Sequence, residues 1–128
     1  MQFVVKSRPR RERRGALLRF DEKTMYRGRD VAAGDAIFVF ASDHEGGRGL
    51  VARGVVLSAV RGAGIRVRIT VRVTGLARRP LGRAELKAFR ERTDARPETE
   101  VARKLYRQAT NKIAGASDRA ATFLAAQF

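Results

Sequence analysis

The sequence predicts an α+β protein, with a small barrel or curled sheet formed by roughly the first 75 residues and helices after it. Three observations support this. β-branched, aromatic and alternating runs fill the N-terminal part, the apolar spacing turns helical from residue 80, and no strand–helix–strand alternation links the two. At 128 residues the chain has the size of one compact domain, so a single unit over 1–128 is expected, β-rich over 1–75 and helical over 80–128.

The first strand is the β-branched and aromatic run Gln2 to Lys6. The arginine-rich stretch RPRRERR, 8 to 14, follows as a solvated loop. Ala36 to Ser42 is the next strand, entered through a Gly34–Asp35 turn. It puts Ile37, Val39 and Ala41 on one side and Phe38, Phe40 and Ser42 on the other, so it predicts burial on both faces. Leu50 to Val60 is a third strand, and RGAG at 61–64 turns the chain into a fourth. That fourth strand, IRVRITVRVT at 65–74, aims Ile65, Val67, Ile69, Val71 and Val73 inward and Arg66, Arg68, Thr70, Arg72 and Thr74 outward.

Beyond residue 80, Leu81, Ala84, Ala88 and Phe89 fall near a 3.6-residue period. Val101, Leu105, Tyr106 and Ala109 form a second helical stripe after Pro97, a good first-turn residue. Gly115 reads as a helix stop, and Ser117–Asp118 as the cap of a last short helix ending in FLAAQF. No internal repeat or low-complexity tract is present.

Charge indicates the partner. Lys and Arg number 28 against 13 acidic residues, a formal net charge of +15, which points to a polyanion such as nucleic acid. The excess is mostly arginine, whose fork suits phosphates and base edges, although genome composition also raises arginine counts. Cysteine is absent, which removes disulfide and thiolate chemistry. No apolar run approaches the roughly 20 residues that span a bilayer, and MQFVVKSRPR has no signal-peptide layout, so a soluble, cytoplasmic protein without membrane association is expected.

Catalytic chemistry finds little to work with. Ser42, Asp43 and His44 are consecutive, and an extended chain puts Asp43 on the side opposite the other two, so they form no triad among themselves. One histidine and no cysteine leave only carboxylates to complete a zinc site. A magnesium-dependent nuclease wants clustered acids on strands, yet Glu85, Glu91, Asp94, Glu98 and Glu100 lie in the helical half among basic neighbours. GGRG at 46–49 lacks the spacing and lysine of a P-loop. The expectation is a binding module: no enzyme, no cofactor, no metal.

Several segments, in order, resemble one family. FVVKSRP at 3–9 is similar to the tyrosine-tryptophan, apolar, KSEP opening of the EVE domains, members of the PUA-like group that includes YTH and ASCH domains. MYRGRDVAAGDAIFVFASD at 25–43 resembles that family's NYQARN segment, GD turn and following strand. GRGLVARGVV at 47–56 is similar to its apolar return strand, and LGRAELKAF at 81–89 to its helix opening. Val4 stands where the family has tryptophan, and Ala41 where a polar residue is common.

The resemblance implies a PUA-like curled β-barrel with flanking helices and a pocket at the barrel mouth for a flipped, often modified base of DNA or RNA. Carried over by position, the pocket takes Lys6 and Ser7, then Tyr26, Arg27 and Arg29, then Phe40 and Ser42; Asp43 and His44 lie beside it. Phe40 and Tyr26 would stack on the base, while Ser42 and Asp43 would meet its polar edge. Arg10, Arg11 and Arg13 of the loop and Arg66, Arg68 and Arg72 of the fourth strand are the expected phosphate contacts. The alternative reading is a basic structural or interaction protein, an RNA- or ribosome-associated scaffold with no base pocket.

Overall fold

A computed structural model describes residues 1–128. Six strands close into one barrel: β1 (Gln2–Ser7), β2 (Leu17–Met25), β3 (Ala36–Ala41), β4 (Gly49–Arg61), β5 (Arg66–Leu76) and β6 (Lys112–Ala116). Around the barrel the order is β1-β3-β4-β5-β2-β6, returning to β1. The pairs β1–β3 and β2–β6 are parallel and the other four antiparallel. Helices α1 (Arg83–Leu86, continued by a 3-10 turn over Lys87–Phe89), α2 (Pro97–Tyr106) and α3 (Asp118–Ala125) cover one side. None is long and apolar enough to cross a membrane.

Alternation along the strands sorts apolar side chains into two cores. Phe3, Val5, Phe20, Ile37, Val39, Val67, Ile69, Val71 and Ile113 fill the barrel. Val4, Phe38, Phe40, Leu50 and Ala114 point outward and pack under Leu86, Val101, Leu105, Tyr106, Ala120 and Leu124 of the helices. β3 is therefore buried on both faces, as its unbroken apolar run predicts. Each large side chain sealed between barrel and helices contributes about 1.5–3 kcal/mol of transfer free energy.

The elements read from sequence form, with five differences. The stripe Leu81, Ala84, Ala88 and Phe89 does not form: Leu81 precedes α1, Ala84 and Ala88 are exposed, and Leu86 is the side chain that α1 buries. Ile65 precedes β5 and is 52% exposed rather than inward, because the 61–64 turn has not yet delivered the chain to the barrel. Ala109 lies past the end of α2 and is exposed. β2 was not anticipated: in LLRFDEKTM only Leu18, Phe20 and Thr24 are fully buried, and the charged residues between them mask the alternation. β6 corrects the reading of 80–128 as wholly helical and of Gly115 as a helix stop. KIAGA carries little intrinsic strand preference, and it is a strand because β1 pairs with it from Lys6↔Lys112 to Gln2↔Ala116. Ser117 does cap α3, its Oγ accepting from the Ala120 N–H at 3.1 Å.

Barrel closure depends on a tight corner after β2. Tyr26 and Arg27 both adopt left-handed backbone, with φ of 50° and 67°. The Tyr26 carbonyl accepts from the Gly115 N–H at 2.9 Å. Gly28 then passes so close to β6 that a Cβ there would lie 2.0 Å from the Ile113 carbonyl oxygen, so only glycine fits.

Candidate nucleic-acid interface

Closure between β2 and β6 rests on two residue pairs, Thr24↔Ile113 and Met25↔Ala114. β2 begins seven residues earlier, at Leu17, so much of its edge facing β1 has no strand partner. A cleft of about 430 Å³ opens there, between β2 and the end of β1. That is a ligand-sized volume. Phe20 forms its apolar floor, and Ser7, Arg10, Glu22, Glu45 and Asn111 line it together with Arg8, Arg19, Asp21 and Arg68.

The polar groups of the cleft are ordered. The Ser7 hydroxyl donates to Glu22 Oε2 and accepts from Arg10 Nη1 at 2.9 Å. The Arg10 guanidinium lies 4.3 Å over the Phe20 ring and also donates to the Arg8 carbonyl. Burial holds the Arg10 pKa below the usual arginine value. Asn111 Nδ2 donates to Glu45 Oε1 at 2.8 Å, which keeps the Glu45 carboxyl below the ordinary range. Asn111 Oδ1 is buried without a hydrogen-bond donor.

The residues expected to form the base pocket do not converge. Ser7 is in the cleft. Lys6, on the opposite face of β1, is 2% exposed and caps α2, donating to the carbonyls of Leu105 at 2.6 Å, Ala109 at 3.3 Å and Gln108 at 3.4 Å. Burial, reinforced by Lys112, lowers its pKa to about 8. Lys112, its cross-strand neighbour, donates to the Lys104 carbonyl at 2.9 Å. Phe40 is 0% exposed, edge-on to Tyr106 at 6.4 Å in the helix-facing core, so it has no free face for a base. The alternation of β3, which puts Phe40 on the outer face with Phe38, gives the reason.

Tyr26, Arg27 and Arg29 lie far from Ser7. Tyr26 bonds Gly115, which pairs with Phe3, so it stands four residues back along β1, about 13 Å at roughly 3.3 Å per residue. It is 47% exposed, with Lys104 Nζ 5.6 Å from its ring centroid, while Arg27 pairs with Asp30 at 3.0 Å and Arg29 donates to the Gly64 carbonyl at 2.5 Å. The segment closes the barrel and lines no pocket with Ser7.

Ser42 is buried, its Oγ 3.0 Å from His44 Nδ1. The Asp43–Glu45 stretch is a 3-10 turn rather than extended chain. Asp43 Oδ1 accepts from the Tyr106 hydroxyl at 3.0 Å and Oδ2 from the Arg83 N–H at 3.1 Å, so this carboxylate pins the helical layer to the barrel. Burial and the adjacent Asp43 charge raise the Tyr106 pKa above the ordinary phenol value.

A basic sheet face borders the cleft. Register sets Lys23 opposite Arg66, Asp21 opposite Arg68, Arg19 opposite Thr70 and Leu17 opposite Arg72. The Asp21 side chain is shared by Arg66 at 3.1 Å and Arg68 at 3.7 Å, whereas Arg72 and Arg19 have no ion-pair partner. Arg11 and Arg13 are exposed, but Arg10 turns inward onto Phe20 and is not free for phosphate. Sequence reasoning missed Arg19, Phe20, Glu22, Glu45 and Asn111. The alternation Leu18, Phe20 against Arg19, Asp21, Lys23 was the available signal for the first two.

No protein-family model and no curated protein sequence matches the chain. Solved structures do. The DUF55 domain of human thymocyte nuclear protein 1 superposes with a TM-score of 0.67 at 14% identity, covering 99% of this chain and 98% of that one. Human THYN1 in complex with 5-methylcytosine-containing DNA gives 0.65 at 14% identity, over 98% and 96%. Rpa0253 from Rhodopseudomonas palustris gives 0.60 at 16% identity, over 98% and 92%. The PUA-like barrel with flanking helices, the fold of the EVE (DUF55) domains, is thus the fold of this chain from end to end.

Proposed function

We propose that the protein is a nucleic-acid-binding module that seats one extruded base, plain or modified, in the cleft between β1 and the free edge of β2. The observation that carries this reading is the cleft itself: an aromatic floor, ordered acceptors at Glu22 and Asn111, and a basic sheet face leading into it. A base needs a face to stack on and polar partners for its Watson–Crick edge; Phe20, 1% exposed beneath Arg10, supplies the face once that guanidinium swings out, and Glu22 and Asn111 supply the partners. A carboxylate accepts from an exocyclic amine, so cytosine or adenine suits Glu22 better than thymine. The same fold in a protein solved with 5-methylcytosine-containing DNA supports this reading.

The protein acts by binding alone, in our reading, as a specificity module beside separate enzymes. No group of three or more His, Cys, Asp or Glu side chains is placed to hold a metal ion. Ser42 Oγ meets His44 Nδ1, but Glu45 Oε1 stands 4.0 Å from Nε2, beyond hydrogen-bond reach, and the Ser42 hydroxyl is buried away from any substrate. Anisotropy titrations of matched DNA and RNA oligonucleotides, each with one plain, methylated or hydroxymethylated cytosine or adenine, test the proposal. A preference of about 1–3 kcal/mol for one base is expected. Equal affinity across the panel and for an abasic strand would leave only the basic scaffold. Incubation with labelled DNA and RNA plus magnesium or manganese is expected to leave both intact.

A further inference from the structure

A second cavity, of about 190 Å³, lies on the other side of the Asp43–Glu45 turn, under α1 and the end of α2. Arg83, Arg90 and Arg107 converge on it, with Lys6 at its base. None of the three guanidiniums has a carboxylate partner, and Arg90 Nε is buried without any acceptor. Asp43, the one carboxylate lining the cavity, is already engaged by Tyr106 and the Arg83 backbone.

We propose that this cavity is a phosphate site, holding a backbone phosphate of the strand whose base enters the cleft; the strand assignment rests on the function proposed above. A buried donor with no acceptor costs about 1–3 kcal/mol, a cost that an anion oxygen removes. Three unpaired arginines around a small concavity suit the tetrahedral, multiply accepting phosphate.

One feature opposes an anion there, because the end of a helix presents carbonyls and a negative partial charge. The two buried lysines reverse it. Lys6 occupies the carbonyls of Leu105, Gln108 and Ala109, and Lys112 that of Lys104, so two ammonium groups underlie the helix end. An anion above them would also raise the depressed Lys6 pKa. The two cavities share a wall. Lys6 and His44 face the phosphate site, and their chain neighbours Ser7 and Glu45 face the cleft, as a nucleotide's own base and phosphate would require.

The test uses the whole chain, with inorganic phosphate and an oligonucleotide as separate probes. Titrating phosphate while following the Arg90 Nε–H resonance by NMR is expected to shift that signal, and to raise the Lys6 titration midpoint. The variant Arg90→Gln with Arg107→Gln, both side chains lying outside the cores, is expected to lower the log-log salt slope of oligonucleotide binding by about one to two units. Its ratio of affinities for base-bearing and abasic strands should stay at the wild-type value. An Arg90 signal that moves with neither probe overturns the site. A signal that moves with phosphate, beside an unchanged salt slope, overturns the strand assignment. If wild type shows no base-dependent affinity yet the variant loses slope, the base cleft fails and the phosphate site stands.

Discussion

Arg10 lies where a stacked base would have to lie. In the free protein its guanidinium covers Phe20 at 4.3 Å, and a base can use that ring only once Arg10 swings out. The cost follows from its contacts. The bond to the Arg8 carbonyl is exposed, and water replaces it with little loss. The bond to Ser7 Oγ is partly buried and contributes about 0.5–1 kcal/mol, and the cation–π contact about 1 kcal/mol at this intermediate exposure. The closed arrangement is then favoured by about 1.5–2 kcal/mol, which reduces apparent base affinity by about tenfold or somewhat more. Arg10→Ala should remove that penalty and surrender at most one phosphate contact, about 0.9 unit of salt slope. The assay is fluorescence anisotropy at three salt concentrations, comparing a strand bearing the preferred base with its abasic twin. The affinity ratio between the two should widen about tenfold in Arg10→Ala. A ratio that is unchanged or narrower would refute Phe20 as the stacking floor and Arg10 as its occupant.

Other expectations follow from the same geometry. Changing Arg66, Arg68 and Arg72 together to Ser should flatten the salt slope by about two units rather than three, since Arg66 and Arg68 share the Asp21 carboxylate; an unchanged slope removes this face from the footprint. The Lys6 pKa lies below its unfolded value, so between about pH 8 and the ordinary lysine range the unfolded chain retains a proton that the folded protein has released. Stability measured by urea denaturation should therefore rise across that window, and Lys6→Met should shrink the rise, with Lys112, shifted in the same direction by burial, retaining part of it. Gly28→Ala would drive a methyl into the Ile113 carbonyl at the barrel-closing corner, and a loss of about 3 kcal/mol in urea denaturation is expected; a loss under about 1 kcal/mol would show that the corner yields.

Much of this protein is written locally. The alternation of β5, the doubly apolar run of β3, the stripe of α2 and the Ser117 cap depend on side chains a few residues apart, and they fold as the sequence predicts. The arginine face of β5 was legible for the same reason, because a strand that buries Val67, Ile69, Val71 and Val73 must expose the residues between them. β6 was not legible, since five residues with little intrinsic preference become a strand only when β1 and β2 lie beside them. The site followed the same division. The family resemblance grouped Ser7 with Lys6, Tyr26 and Phe40, but successive strand residues face opposite sides, which sends Lys6 and Phe40 to the helices, and the barrel register leaves Tyr26 at the far end of β1. Phe20, Glu22, Glu45 and Asn111 meet Ser7 only because two pairs of residues close the β2–β6 seam and leave the edge beyond them open. Composition alone determined that the surface is cationic; which arginines are free, which are paired and which one covers an aromatic ring was decided by contacts between residues far apart in the chain, which no local pattern encodes.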